Sequence, residues 1–179
     1  AMRMPFSAAV YENAARFTGR TPWEVSRDPD LLHAGHRAAW LEYGHTPVVV
    51  GIDIYNLEAE AYGAQVTVPD GYGIPAIAKP LFTTLDEALE IPPLDPKRHG
   101  RIPMVIDTAR RLAADLPGAD VRIGVAGPFS IAFNLRGIGG LLEDLAVRSA
   151  DVARWLHRLA GHQAALCHAE AGAGGLAQQ

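Results

Sequence analysis

Apolar residues recur at three- and four-residue steps in three long stretches of the chain, a spacing that predicts helices. The first begins at Asp28-Pro29-Asp30, where an aspartate can accept hydrogen bonds at the N-cap and proline costs nothing at the first helical position. Its apolar positions are Leu32, His36, Ala39, Trp40 and Tyr43, and Gly44 supplies the left-handed stop. The second opens at Pro103, presents Val105, Ile106, Ala109, Leu112, Ala113 and Leu116 on one face, and ends at Leu116-Pro117-Gly118. A third runs from Ser149 through Val152, Trp155, Leu156, Leu159, Gln163, Leu166 and Cys167 as far as Gly172.

Between these lie short β-branched runs of a different kind. Pro47-Val48-Val49-Val50-Gly51-Ile52-Asp53 and Val121-Arg122-Ile123-Gly124-Val125-Ala126 predict buried parallel strands. The first is followed by a short helix from Leu57 to Tyr62, closed by Gly63, and the second by Gly127-Pro128 and a further helical stretch. Gln65 to Pro69 and Ile74 to Pro80 alternate like a small hairpin around Asp70-Gly71-Tyr72-Gly73. Gly174 to Gln179 reads as the opening of another strand. Strands alternating with helices, joined by glycine- and proline-marked turns, predict an α/β fold with a parallel sheet.

Composition narrows this picture. At 179 residues and 49% hydrophobic content, residues 1–179 suit a single domain. The 20 acidic and 16 basic residues leave a formal charge of −4 with no run of one sign, which favours neither a nucleic acid nor an anionic membrane as partner. Gly, Pro or a charge interrupts every apolar stretch well before the roughly 20 residues of a membrane span, and no secretory core follows the first residues. Ala1, ahead of Met2, is left out of the fold argument. The lone cysteine, Cys167, excludes an intrachain disulfide and a cysteine-rich zinc site, so a cytoplasmic location is expected.

Three blocks carry a family resemblance: Gly51-Ile52-Asp53-Ile54-Tyr55-Asn56-Leu57-Glu58-Ala59-Glu60-Ala61-Tyr62-Gly63, Gly100-Arg101-Ile102-Pro103 and Gly127-Pro128-Phe129-Ser130. In order and spacing they resemble the uroporphyrinogen decarboxylase superfamily. The resemblance implies a (β/α)8 TIM barrel, and because such a barrel typically takes about 250 residues, this chain would be an incomplete one. It would be the amino-terminal half, with a small β excursion. In the decarboxylase branch an aspartate at the end of the first barrel strand contacts substrate pyrrole nitrogens, and Asp53 stands at the matching point. That branch also has an arginine-rich motif before the strand and a tyrosine after the Gly-Pro block. Here Gly19-Arg20-Thr21-Pro22-Trp23-Glu24-Val25 and Asn134 occupy those places.

The Glu-Ala-Glu-Ala-x-Gly, Gly-Arg-x-Pro and Gly-Pro-Phe-Ser wording is closer to the methylcobamide:coenzyme M methyltransferase branch. That likeness implies a corrinoid and a zinc-activated thiol, with zinc ligands, a His-x-Cys pair and a later Cys, in the second half of the barrel; no metal ligand is identified in this chain. A decarboxylase would need no cofactor. The partners implied are a tetrapyrrole or corrinoid-protein substrate, together with the missing carboxyl-terminal half or a second copy of the chain.

Within the blocks, Asp53 is the candidate catalytic residue, because barrel chemistry takes place at the carboxyl ends of strands, where its carboxylate could meet pyrrole N–H groups. The alternative is a helix cap. Glu58 and Glu60, two apart, face different directions on a helix, so at most one looks into the pocket, and Glu58 is the candidate. Phe129 and Ser130, at a strand-to-helix turn, are candidates for binding a carboxylate or phosphate; the alternative is a serine N-cap beside a core phenylalanine. Asn134, one turn on, would line the same wall. His33 with His36, and His162 with His168, look like ligand pairs by spacing alone; His33 and His36 lack any nearby thiol or paired carboxylate and are read as solvent-facing helix residues, and Cys167 as a small core residue. The leading expectation is a corrinoid-linked methyltransferase. The alternatives are a porphyrin-pathway decarboxylase and a non-catalytic binding or assembly subunit.

Overall fold

The computed structural model describes residues 7–171. A 3-10 segment, Tyr11–Thr18, leads into α1 (Pro22–Val25) and α2 (Pro29–Tyr43), followed by β1 (Val48–Val50). A 3-10 turn at Ile54–Asn56 joins β1 to α3 (Leu57–Ala61), then come α4 (Leu85–Leu89) and α5 (Ile102–Asp115). The chain continues with β2 (Val121–Ile123), α6 (Pro128–Arg136), α7 (Ile138–Val147) and α8 (Ser149–Ala171). It is a helix-rich α/β fold around a small parallel sheet, with Val48, Val49 and Val50 paired to Val121, Arg122 and Ile123.

The helix signals act as their chemistry requires. Asp28 accepts from the backbone N–H groups of Asp30 and Leu31 at 2.9 and 3.0 Å, and Gly44 ends α2 in the left-handed region at φ 57°. The apolar face of α5 buries Val105, Ile106, Ala109 and Leu112. These side chains join Leu32 and Ala39 of α2 and Val48, Val50 and Val121 of the sheet in one core. A second core forms among α3, α4, α6, α7 and α8, with Trp155, Leu135, Leu141 and Leu159 fully buried at its centre.

Several expectations are corrected. The strands are shorter than the apolar runs, ending at Val50 and Ile123 where the ladder ends. The hairpin reduces to one antiparallel bridge, Val66 to Ile77, flanked by the Thr67 N–H to Ala76 O bond of 2.8 Å and the Ala78 N–H to Gln65 O bond of 2.7 Å. Pro69, Pro75 and Pro80 lack the N–H groups a longer ladder would need. The helical stretch after Gly127 is two helices, broken at Gly137 with φ 75°. α4 went unread although Thr84 and Glu87 form a capping box, each side chain bonding the other's backbone N–H. Gly172 and the strand expected at Gly174–Gln179 lie outside the described residues.

Leu112, wholly buried where α5 meets the sheet, makes a direct test of this packing. Leu112→Ala should lower unfolding free energy by about 2–5 kcal/mol in urea titrations, from lost burial plus the cavity left behind. Leu142→Ala, at a position 53% exposed on α7, should stay within about 0.5 kcal/mol of wild type.

Candidate active site at the strand carboxyl ends

Parallel pairing places the carboxyl ends of β1 and β2 side by side, so the segments after Val50 and after Ile123 emerge at one end of the sheet. Gly51 makes the exit from β1 at φ 133°, where a Cβ would stand 2.3 Å from Ile54 Cγ2. Only glycine fits. Its N–H donates to Nε2 of His36 on α2 at 3.0 Å, so the imidazole carries its proton on Nδ1. His36 is completely buried, which corrects its reading as solvent-facing, and burial pushes its pKa down to about 4. His33 instead pairs with Asp115, Nε2 to Oδ2 2.8 Å.

Asp53 is 1% exposed and makes no cap hydrogen bond. Both of its oxygens accept from the guanidinium of Arg101, Nη1 and Nη2, each at 2.9 Å. The sequence named no partner for Asp53, and the structure clamps it with Arg101, because a carboxylate removed from water must be paired. Burial pushes the Asp53 carboxyl up, and the Arg101 charge pulls it back. Arg101 also gives Nε to Glu60 Oε2 at 2.7 Å and Nη1 to the Ser26 carbonyl at 3.0 Å. Arg27 completes the group, bonding the other Glu60 oxygen at 2.8 Å while its guanidinium lies 3.3 Å from the centre of the Trp23 ring. Two carboxylates thus meet two guanidiniums. Gly100 lets this happen: a Cβ there would come within 2.9 Å of Ala61 Cα, so glycine alone allows Arg101 so close to α3.

Glu58 and Glu60 do face different ways. Glu60 joins the arginines, whereas Glu58 is 1% exposed and accepts from the Ala126 N–H at 2.7 Å and from Gln163 Nε2 of α8 at 2.8 Å. Burial raises the Glu58 carboxyl above its ordinary range. Gly127, not Ser130, is the N-cap residue of α6, and Ser130 and Phe129 are both exposed, the latter at 46%, so neither the serine cap nor the core phenylalanine forms. Asn134 donates Nδ2 to the Tyr55 carbonyl at 2.7 Å, tying α6 to the turn after β1. Tyr55, Val125, Phe129 and Phe133 form exposed apolar surface on the segments that follow the two strands. On α8, His162 Nδ1 meets the Tyr62 hydroxyl at 2.8 Å, His168 is exposed, and Cys167 is half-buried rather than a core residue.

Arg101, Arg27 and Gln163 were not anticipated. Arg101 lies inside the Gly-Arg-x-Pro block, and the signal that could have exposed it was the need of a buried Asp53 for a cation.

An α/β chain with parallel strands and a charged cluster at their carboxyl ends has the organisation of part of a barrel enzyme. The family model for uroporphyrinogen decarboxylase (URO-D) matches residues 2–179, and the chain belongs to that family. Its fold is similar to that of a methyltransferase from Methanosarcina mazei, with a TM-score of 0.81 and 18% sequence identity. The match covers 97% of this chain and 52% of that one, so the chain spans about half the length of that methyltransferase and corresponds to a partial TIM barrel. A comparison with curated proteins finds no match.

Two outcomes follow from the charge network. Arg101→Met leaves Asp53 and Glu60 short of a cation and should cost about 3–5 kcal/mol in urea unfolding. Part of the loss should return as pH is lowered and the orphaned Asp53 takes a proton. His36, with a folded pKa below its unfolded value of 6.5, contributes stability that is whole above pH 6.5 and is lost as pH falls toward 4. His36→Gln should flatten that part of the stability–pH curve.

Proposed function

We propose that this chain supplies the amino-terminal wall of a corrinoid-linked methyltransferase barrel, in which a methyl group passes from a corrinoid to an activated thiol. The observation that carries the reading is the pairing of two surfaces at one end of the sheet. One is the apolar surface of Tyr55, Val125, Phe129 and Phe133, suited to the flat face of a macrocycle. The other is the Asp53–Arg101–Glu60–Arg27 network at the exit from β1. The structural likeness to a methyltransferase supports the same branch.

In this reading Phe129 and Phe133 seat the macrocycle, and Ser130 with the free N–H groups of the first turn of α6 meets its polar periphery. Asp53, held rigid by Arg101, fixes the electrostatic field at the strand end without releasing a free charge. Zinc would be the metal of the reaction, and the described residues do not fit it. No three His, Cys, Asp or Glu side chains among them come together, and His36 and His162 each commit a ring nitrogen to a hydrogen bond. No step is assigned to zinc on this chain. Its ligands belong, in this proposal, to the remaining half of the barrel, supplied by further polypeptide or a partner. Decarboxylation of a polycarboxylate porphyrinogen is disfavoured because Arg27 and Arg101 are already neutralised by Glu60 and Asp53.

The test uses the full-length protein with methylcobalamin and a small thiol, following loss of the methyl-corrinoid absorbance. Thiol-dependent demethylation is expected, with Asp53→Asn lowering turnover on the order of a hundredfold and Phe129→Ala weakening corrinoid binding. Release of carbon dioxide from uroporphyrinogen instead would replace this reading with the decarboxylase. Absence of both activities, with corrinoid still bound, would leave a binding subunit.

A further inference from the structure

Glu58 and Gln163 pose a problem that their hydrogen bonds do not solve. Gln163 Nε2 donates to Glu58 Oε1 at 2.8 Å and to the Ala126 carbonyl at 2.9 Å. The amide cannot be turned over, because its oxygen would then face two acceptors. That orientation leaves Gln163 Oε1 buried with no donor, and Glu58 Oε2 is buried with no donor as well. Two orphaned acceptors therefore sit on adjoining side chains that are already joined by their other atoms. A buried acceptor left without a donor loses its hydration with nothing in exchange.

One proton removes both deficits. We infer that Glu58 is a neutral carboxylic acid in the folded protein, its Oε2–H donating to Gln163 Oε1 while Gln163 Nε2–H donates to Glu58 Oε1, a cyclic acid–amide pair that latches α3 to α8. The Ala126 peptide is held within this pair: its N–H binds Glu58 and its carbonyl binds Gln163. Ala126 is the residue before Gly127-Pro128, so the latch fixes the exit from β2 and the direction in which α6 starts. Glu58 is thus a positioning residue for the Phe129–Ser130 turn.

The surroundings favour the neutral form. Glu58 is 1% exposed, and burial raises its carboxyl because the charged form loses its hydration. Among the described residues, its hydrogen-bond donors are the Ala126 N–H and the Gln163 amide, neither of them charged. The arginines of the neighbouring cluster are spent on Asp53 and Glu60, and Arg136 of α6 pairs with Asp144 of α7. The titratable groups that share its surroundings are Tyr62 at the end of α3 and His162 of α8, bonded to each other, with Arg158 of α8 close to His162. Tyr62 is raised by burial, and His162 is lowered by burial and by Arg158, so both groups are neutral at pH 7 and neither supplies a counter-charge. Because the folded pKa lies above the unfolded one, the latch contributes fully below the ordinary glutamate range and weakens as pH rises through the folded value. Nothing in this pairing depends on corrinoid chemistry.

Infrared spectra of the full-length protein at pH 7 test it directly. A protonated-carboxyl band is expected, shifted by 13C-glutamate labelling, which separates it from Asp53, and absent in Glu58→Gln. Glu58→Gln presents an N–H where the acid presents an O–H, so it should fold with wild-type stability and lose the decline of stability at rising pH. A wild-type spectrum with no glutamic acid band would overturn the proposal whatever the variant does, showing an ionised carboxylate bridged by water or a cation. A band that survives in Glu58→Gln would overturn it equally.

Discussion

The contact on which the site depends is the fork of Arg101 across Asp53 and Glu60. It joins the start of α5 to the exit from β1 and to α3, and through the Ser26 carbonyl to the chain before α2. A carboxylate with no exposed surface is stable only when its charge is met at close range. Gly100 permits the approach, Arg27 balances Glu60, and the ring of Trp23 lies against Arg27. The cluster is therefore drawn from four separate stretches of sequence, at 23–27, 53, 60 and 100–101.

Two ways of burying acid stand side by side on one short segment. Asp53 and Glu60 are neutralised by arginine, whereas Glu58, two residues after the 3-10 turn ends at Asn56, is bonded by the uncharged Ala126 N–H and Gln163 amide. The first arrangement keeps charge and fixes its direction; the second is satisfied best without charge. Together they brace both strand exits, one at Gly51-Ile52-Asp53 and the other at Ala126-Gly127. The apolar residues Tyr55, Phe129 and Phe133 stay exposed on the braced segments.

Much of the fold could be read in the sequence because its signals are local. Asp28-Pro29 and Gly44 bound α2, the three- and four-residue spacing marks the buried face of α5, and the valine runs mark β1 and β2. The three sequence blocks led to the family to which the chain belongs. Even the missed α4 carried a readable capping box in Thr84 and Glu87. Alternation alone overstates the hairpin, because three prolines withhold the N–H groups that a ladder longer than the Val66–Ile77 bridge would need.

What the sequence determined by itself was the identity and order of elements, since caps, periodicity and turn residues act within a few positions of one another. The tertiary structure alone decided the partners of the chemical groups. His36 was read as facing solvent and lies wholly inside, because the β1 exit brings the Gly51 N–H to it from 15 residues away. Asp53 was placed at the correct end of its strand, but its arginine comes from 48 positions further along and the glutamine of Glu58 from 105. Such pairings are set by how helices pack on the sheet. A side chain's type says which partners it can accept, and only the fold brings one within hydrogen-bonding distance.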